Sequence, residues 1–252
     1  MKITDCRLRY GQGEPKNRER CFTSPEQALA FMDLCDIDTA VAFHNFGIYD
    51  YETANAEIMD VCKASGGRLL PGFWLDTLFG SGMQKEKDQA ELCDYLCANR
   101  PVLTAINPAK QRFSLNPCYT GRLMEVLQEL QLPLMLSGLK NDWNNLPLLL
   151  TQFPRLKVIL FRCIRVKARY IVPLMQQFPN VYLDSGEMAD FNTLENYTHC
   201  IGAERILYAS GMPEYDPRGG QGLLAYAKIT EEERELICGG SLRRLMSETR
   251  WK

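Results

Sequence analysis

Two arginines, Arg7 and Arg9, close the first apolar run of the chain, in MKITDCRLRYG. If residues 2–8 form a strand, alternation puts Ile3, Asp5, Arg7 and Arg9 on one face. Guanidinium groups on a strand face that packs against a core need a reason, because isolated buried charges cost several kcal/mol even after relaxation. A third arginine, Arg162, follows the apolar run KVILF. Forked donors of this kind match the oxygens of a carboxylate, phosphate or sulfate, so the three together would form a fixed cationic cluster holding a small anion. The competing reading is a structural plug, in which Asp5, Asp76, Asp184 and Glu187 neutralise the arginines. His44, in AVAFHNFG, is one of only two histidines and the candidate for proton transfer, since imidazole titrates near neutrality; a hydrogen-bonding loop histidine is the plain alternative. His199, in ENYTHC, is assigned no role.

What could bring these residues together is a strand–helix rhythm. Aliphatic and β-branched runs recur at KITD (2–5), TAVAF (39–43), RLLPGF (68–73), VLTAI (102–106), PLMLS (133–137), KVILF (157–161), VYLDS (181–185) and RILYA (205–209). Helical patterns lie between them. Ser24-Pro25-Glu26 opens one, with a capping serine and a first-turn proline, and others are ETANAEIMDVCKASGG, DQAELCDYLCAN and YTGRLMEVLQELQ. Such alternation over about 250 residues is the size of a single (β/α)8 TIM barrel, an α/β fold, covering residues 1–252 as one domain. Working residues of such barrels sit at the C-terminal strand ends, which here means Arg7, Arg9, His44, Asp76, Asn107, Ser137, Arg162, Asp184 and the Ser210–Gly211 pair.

Composition narrows the partners. The 252 residues are 46% hydrophobic and 24% charged with net charge −2, a balance that supports a large core and carries no basic excess for nucleic acid. No apolar run approaches the roughly 18 residues of a membrane span, and no signal-like segment opens the chain, so a cytoplasmic location is expected. The 10 cysteines are scattered without paired CxxC knuckles, which fits reduced packing residues. Cys93 and Cys97 have i,i+4 spacing but lack further ligands, and the sequon at Asn196 then carries little weight. Tyr10, Trp74, Phe161 and Tyr208 could line a pocket or belong to the core, and the glycines of PRGGQG (217–222) read as a loop ahead of a helix. Trp143 and Trp251 leave self-association open without marking an interface.

The chain resembles the amidohydrolase-related (amidohydrolase-2) family of metal-dependent hydrolases and decarboxylases. The resemblance is carried by KITDCRLRYG, by AINPAKQRFSLNPCYTGRLMEVLQELQLPLMLSG, by LPLLLTQFPRLKVIL, and by RILYASGMPEYDP with ITEEERELICGGSLRRLM. It implies a TIM barrel with an H-x-H pair after strand one, histidines after strands five and six, and an aspartate after strand eight, all holding a metal. Here Arg7, Arg9, Ser137, Arg162 and Gly211 stand at those places. Arginine cannot deprotonate to become a ligand, so no metal or other cofactor is expected.

Three readings follow. The first is a barrel binding a small anion, carboxylate or phosphate, through Arg7, Arg9, Ser137, Arg162, Asp184 and Gly211 without turnover. The second is a hydrolase, lyase or decarboxylase acting on a small carboxylated substrate, using His44 with the arginines as electrostatic stabilisers and no standard metal. The third is an interaction protein with a plugged barrel.

Overall fold

A computed structural model describes residues 2–12, 21–77, 85–139, 142–188, 190 and 192–252. In chain order the elements are β1 (Thr4–Tyr10), α1 (Pro25–Leu34), β2 (Thr39–His44), α2 (Tyr51–Ala64), β3 (Leu69–Trp74), α3 (Lys85–Asn99), β4 (Leu103–Ile106), α4 (Pro108–Gln111), α5 (Pro117–Leu130) and β5 (Leu134–Leu136). They continue with α6 (Asn145–Gln152), β6 (Val158–Leu160), α7 (Ile164–Gln177), β7 (Val181–Asp184), α8 (Thr193–Ile201), β8 (Ile206–Leu207), α9 (Pro217–Tyr226), α10 (Glu231–Glu235) and α11 (Ser241–Ser247). Each expected strand is present. Together they form one 8-stranded sheet in sequential order, with every neighbouring pair parallel.

The sheet curls until its ends meet. Cys6 N donates to Tyr208 O at 2.9 Å, Gly211 N to Arg7 O at 3.1 Å, and Arg9 N to Met212 O at 2.9 Å, so the first strand is tied to the segment leaving the last. Strand alternation then sorts the core into two layers. Val41, Phe43, Leu103, Ala105, Met135, Ile159, Phe161, Tyr182, Leu207 and Ala209 pack inside the barrel, where Leu242 and Leu245 of α11 join them. Leu8, Tyr10, Phe73, Leu134, Leu136, Val158, Leu160, Leu183 and Ile206 face the surrounding helices.

Local chemistry fixes the helix starts. Ser24 caps α1 by accepting from Gln27 N, Asp50 caps α2 by accepting from Thr53 N, and Thr230 with Glu233 forms a reciprocal capping box on α10. The PRGGQG segment corrects the loop expectation, because it lies within α9. Asp216 accepts from Arg218 N, Pro217 occupies the first turn and Leu224 is buried, so capping and packing together hold the helix against the low propensity of the glycines. Among the described residues, no helix is long and apolar enough to cross a membrane.

Candidate functional site: an arginine-lined barrel mouth

Strict alternation fails in β1. The pairing register with β2 shifts between Asp5 and Leu8, and Arg7 N donates to its own neighbour's carboxylate, Asp5 Oδ1, at 2.9 Å. This bulge lets Cys6 and Arg7 both serve the barrel interior. Ile3, expected on the arginine face, instead packs with the outer layer, as do Leu8 and Tyr10. Asp5 seals the seam between the first and last strands, accepting from Ser210 N at 3.0 Å and from the Ser210 hydroxyl. Burial raises its pKa, against the lowering effect of those hydrogen bonds.

The C-terminal strand ends surround a small pocket with a cavity volume of about 60 Å³. Its walls are Phe43, Trp74 and Phe161, with Ala105 and Met135 between them, while Arg7, Arg9, Asn107, Lys110, Ser137 and Arg162 supply polar and cationic groups. Arg7 is 4% exposed. Its Nε donates to Asp184 Oδ2 at 2.8 Å, its Cζ lies 5.5 Å from the Phe161 ring centre, and its Nη2 has no hydrogen-bond partner among the described residues. The neighbouring glycines make room for this fork. A Cβ on Gly186 would stand 2.5 Å from Arg7 Nη2, and one on Gly211, at φ +64°, would stand 3.1 Å from Nη1. Burial works against the Arg7 charge, yet Asp184 holds its pKa above the ordinary value.

Arg9 and Arg162 share a partner that the sequence reading missed. Glu214 Oε2 accepts from Arg9 Nη1, and Glu214 Oε1 lies 2.5 Å from Arg162 Nη2, while Glu187 stands 4.0 Å from Arg162 Nε. Burial would raise the Glu214 pKa, but the charges of Arg162 and Arg9 outweigh it and hold it below the usual carboxylate range. Burial also lowers the Arg9 pKa, aided by the positive charges of Arg162 and Arg7 and opposed by Glu214. The plug reading therefore named two of the acids that meet the arginines, Asp184 and Glu187, and missed the one that bridges Arg9 and Arg162. Asp5 bonds Ser210 and the Arg7 backbone N–H while its charge also favours the Arg7 guanidinium, and Asp76 accepts from Thr77 at 3.5 Å.

The remaining candidates divide by role. Ser137 lines the pocket, and its Oγ accepts from Asn107 Nδ2 at 2.9 Å. Asn107 also caps α4, accepting from Lys110 N at 3.0 Å, and lies so close to Gly138 that a Cβ there would be 2.1 Å from Asn107 Oδ1. Asp184 is fully buried and acts through Arg7, its second oxygen accepting from Gly186 N at 3.3 Å. Gly211 contributes space and a backbone turn. His44 borders the pocket, but its ring is engaged elsewhere: Nδ1 accepts from Phe46 N at 3.1 Å and Nε2 is 3.2 Å from Glu57. Trp74 and Phe161 line the pocket, whereas Tyr10 and Tyr208 are core. Cys93 and Cys97 pack partly buried against the outer layer.

A family profile described as Amidohydrolase (Amidohydro_2) matches residues 5–245. A search of curated proteins finds no match. Among solved structures, the chain is similar to a 2,6-dihydroxybenzoate decarboxylase complexed with 2,6-dihydroxybenzoate, at 15% identity and TM-score 0.74, covering 98% of this chain and 99% of that one. It is similar to a dihydroxybenzoic acid decarboxylase from a Polaromonas species with bound manganese and the inhibitor 2-nitroresorcinol, at 16% identity and TM-score 0.77, covering 98% and 97%. It is also similar to 4-oxalomesaconate hydratase from Rhodopseudomonas palustris, at 16% identity and TM-score 0.72, covering 98% and 96%. At these identities the likeness establishes the barrel fold.

The donors here do not fit a divalent metal. Guanidinium has no lone pair to give, and Arg7, Arg9 and Arg162 hold three of the strand-end places where the resemblance puts ligands, with Ser137 and Gly211 at the others. Among the described residues, no group of three or more histidine, cysteine, aspartate or glutamate side chains could hold one. The family profile spans nearly the entire chain, and the eight-stranded barrel accords with it: this protein belongs to the amidohydrolase family.

Proposed function

We propose that the barrel mouth takes a small carboxylate and that the chain is an enzyme acting on it, with the arginines as electrostatic stabilisers. The observation that carries this is Arg7, which lines the aromatic-walled pocket, is 4% exposed, and keeps a buried Nη2 that has no hydrogen-bond partner among the described residues. A buried unsatisfied guanidinium nitrogen costs free energy that a ligand oxygen would recover. Phe43, Trp74 and Phe161 suit a flat, unsaturated or aromatic body behind that oxygen. The bound 2,6-dihydroxybenzoate of one neighbour and the chemistry named for the others support a carboxylated substrate.

The chemistry follows from where the positive charge lies. Guanidinium groups that grip a departing carboxylate stabilise the ground state more than the transition state, which opposes its loss. The cluster is better suited to a carboxylate that serves as a handle while an adjacent carbon or acyl group reacts, as in hydration, elimination or hydrolysis. In that arrangement the arginines would stabilise charge delocalised from the reacting centre onto the held oxygens. Asn107 fixes the Ser137 oxygen by donating to it, which leaves the Ser137 hydroxyl proton to be given to a substrate oxygen.

A second reading, a carboxylate-binding protein without turnover, is favoured by the engagement of both His44 ring nitrogens. Turnover decides between them. A panel of unsaturated and aromatic carboxylates, esters and lactones should include one whose conversion survives EDTA and is lost in Arg162→Met. Conversion abolished by EDTA would overturn the metal-independent reading, and a silent panel with retained carboxylate binding would favour the second.

A further inference from the structure

Resting on the carboxylate-pocket reading above, we infer that Glu214 is a resident stand-in for the ligand's carboxylate, displaced when a small carboxylate enters the fork between Arg9 and Arg162. Its two oxygens are divided between two arginines from different strand ends, Oε2 on Arg9 Nη1 in β1 and Oε1 on Arg162 Nη2 after β6. That is how a free carboxylate would sit between two guanidinium groups.

The backbone that carries Glu214 is held independently of its side chain. The loop backbone is pinned by Gly211 N to Arg7 O, by Arg9 N to Met212 O and by Glu214 N to Gly211 O, the last at 3.2 Å. The Glu214 side chain is 22% exposed, so solvent is available to receive it. The fork has support of its own when Glu214 is gone. Arg162 is held at φ 56°, a left-handed backbone that non-glycine residues adopt at a cost, and its Cζ lies 6.0 Å from the Tyr215 ring centre. Asp184 cannot play the same part, because its side chain is fully buried on Arg7.

The exchange sets specificity. An incoming carboxylate replaces the charge that Glu214 removes, so the cluster keeps its balance. It must, however, outcompete an internal rival, and a bare carboxylate brings nothing extra. A ligand whose body also fills the aromatic walls, or whose second oxygen reaches Arg7 Nη2, gains the advantage. Glu214 thereby selects against acetate-like anions and for larger carboxylates.

The test is calorimetric titration of benzoate and acetate into the wild type, Glu214→Gln and Glu214→Ala. Removing the internal competitor should tighten benzoate binding by about tenfold in both variants and make acetate binding measurable. Adding Arg162→Met to Glu214→Gln should abolish that gain. If the wild type binds benzoate and both variants bind it equally or more weakly, Glu214 is not a competitor and the inference falls while the carboxylate pocket stands. If neither the wild type nor either variant binds benzoate, both fall.

Discussion

Replacing Arg7 with methionine leaves the Asp184 carboxylate, 0% exposed, without the guanidinium that holds it at 2.8 Å. Methionine keeps much of the stem's volume, so the loss is chiefly electrostatic. Removing one partner of a buried ion pair costs about 3–5 kcal/mol, because the other charge stays buried and uncompensated. Gly186 N still donates to Asp184, which places the expected cost at the lower end, about 3 kcal/mol. At about 2–4 °C per kcal/mol for a domain of this size, the melting temperature should fall by roughly 6–12 °C. Differential scanning calorimetry at neutral pH reads this directly. Asp184→Asn added to Arg7→Met removes the stranded charge and should return part of the loss, giving a coupling above about 1 kcal/mol in the double-mutant cycle. A cost below about 1 kcal/mol for Arg7→Met, or purely additive effects, would refute the claim that this pair anchors the mouth.

Three further outcomes are expected. Gly72→Ala places a methyl 2.5 Å from Phe43 Cζ, and should cost about 1–3 kcal/mol by thermal denaturation while narrowing the pocket. Burial lowers the His44 pKa despite Glu57 beside it, so the unfolded chain takes up this proton first as pH falls below about 6.5. Stability should therefore decline from that pH downward until folded His44 also protonates, and a urea-denaturation series should show this slope reduced in His44→Asn. Ser24→Ala should cost about 1 kcal/mol through loss of the α1 cap, with ligand binding unchanged by titration.

The barrel was legible because each strand run carries aliphatic residues facing both the interior and the helices, a pattern that composition alone makes visible. The mouth residues followed from strand ends. Three features did not. The β1 bulge is a backbone event, driven by Asp5 accepting from Arg7 N, and no side-chain periodicity announces it. Glu214 lies in the loop after β8, outside any periodic element, three residues past Gly211, where the chain turns at positive φ. The glycines of PRGGQG point away from a helix, whereas the Asp216 cap, Pro217 and the burial of Leu224 favour one. His44 borders the pocket with both ring nitrogens engaged, the hydrogen-bonding histidine that was weighed against proton transfer.

The central claim, that Arg7, Arg9 and Arg162 make the barrel mouth a carboxylate site, is tested most directly by comparing benzoate with benzamide in calorimetric titrations of the wild-type protein. The two share an aromatic body and differ in charge. Benzoate should bind at one site per chain and, at a hundredfold excess over its dissociation constant, stabilise the fold by about 2.7 kcal/mol, while benzamide binds at least about tenfold more weakly. Equal binding of the two, or no binding of benzoate, would contradict the account.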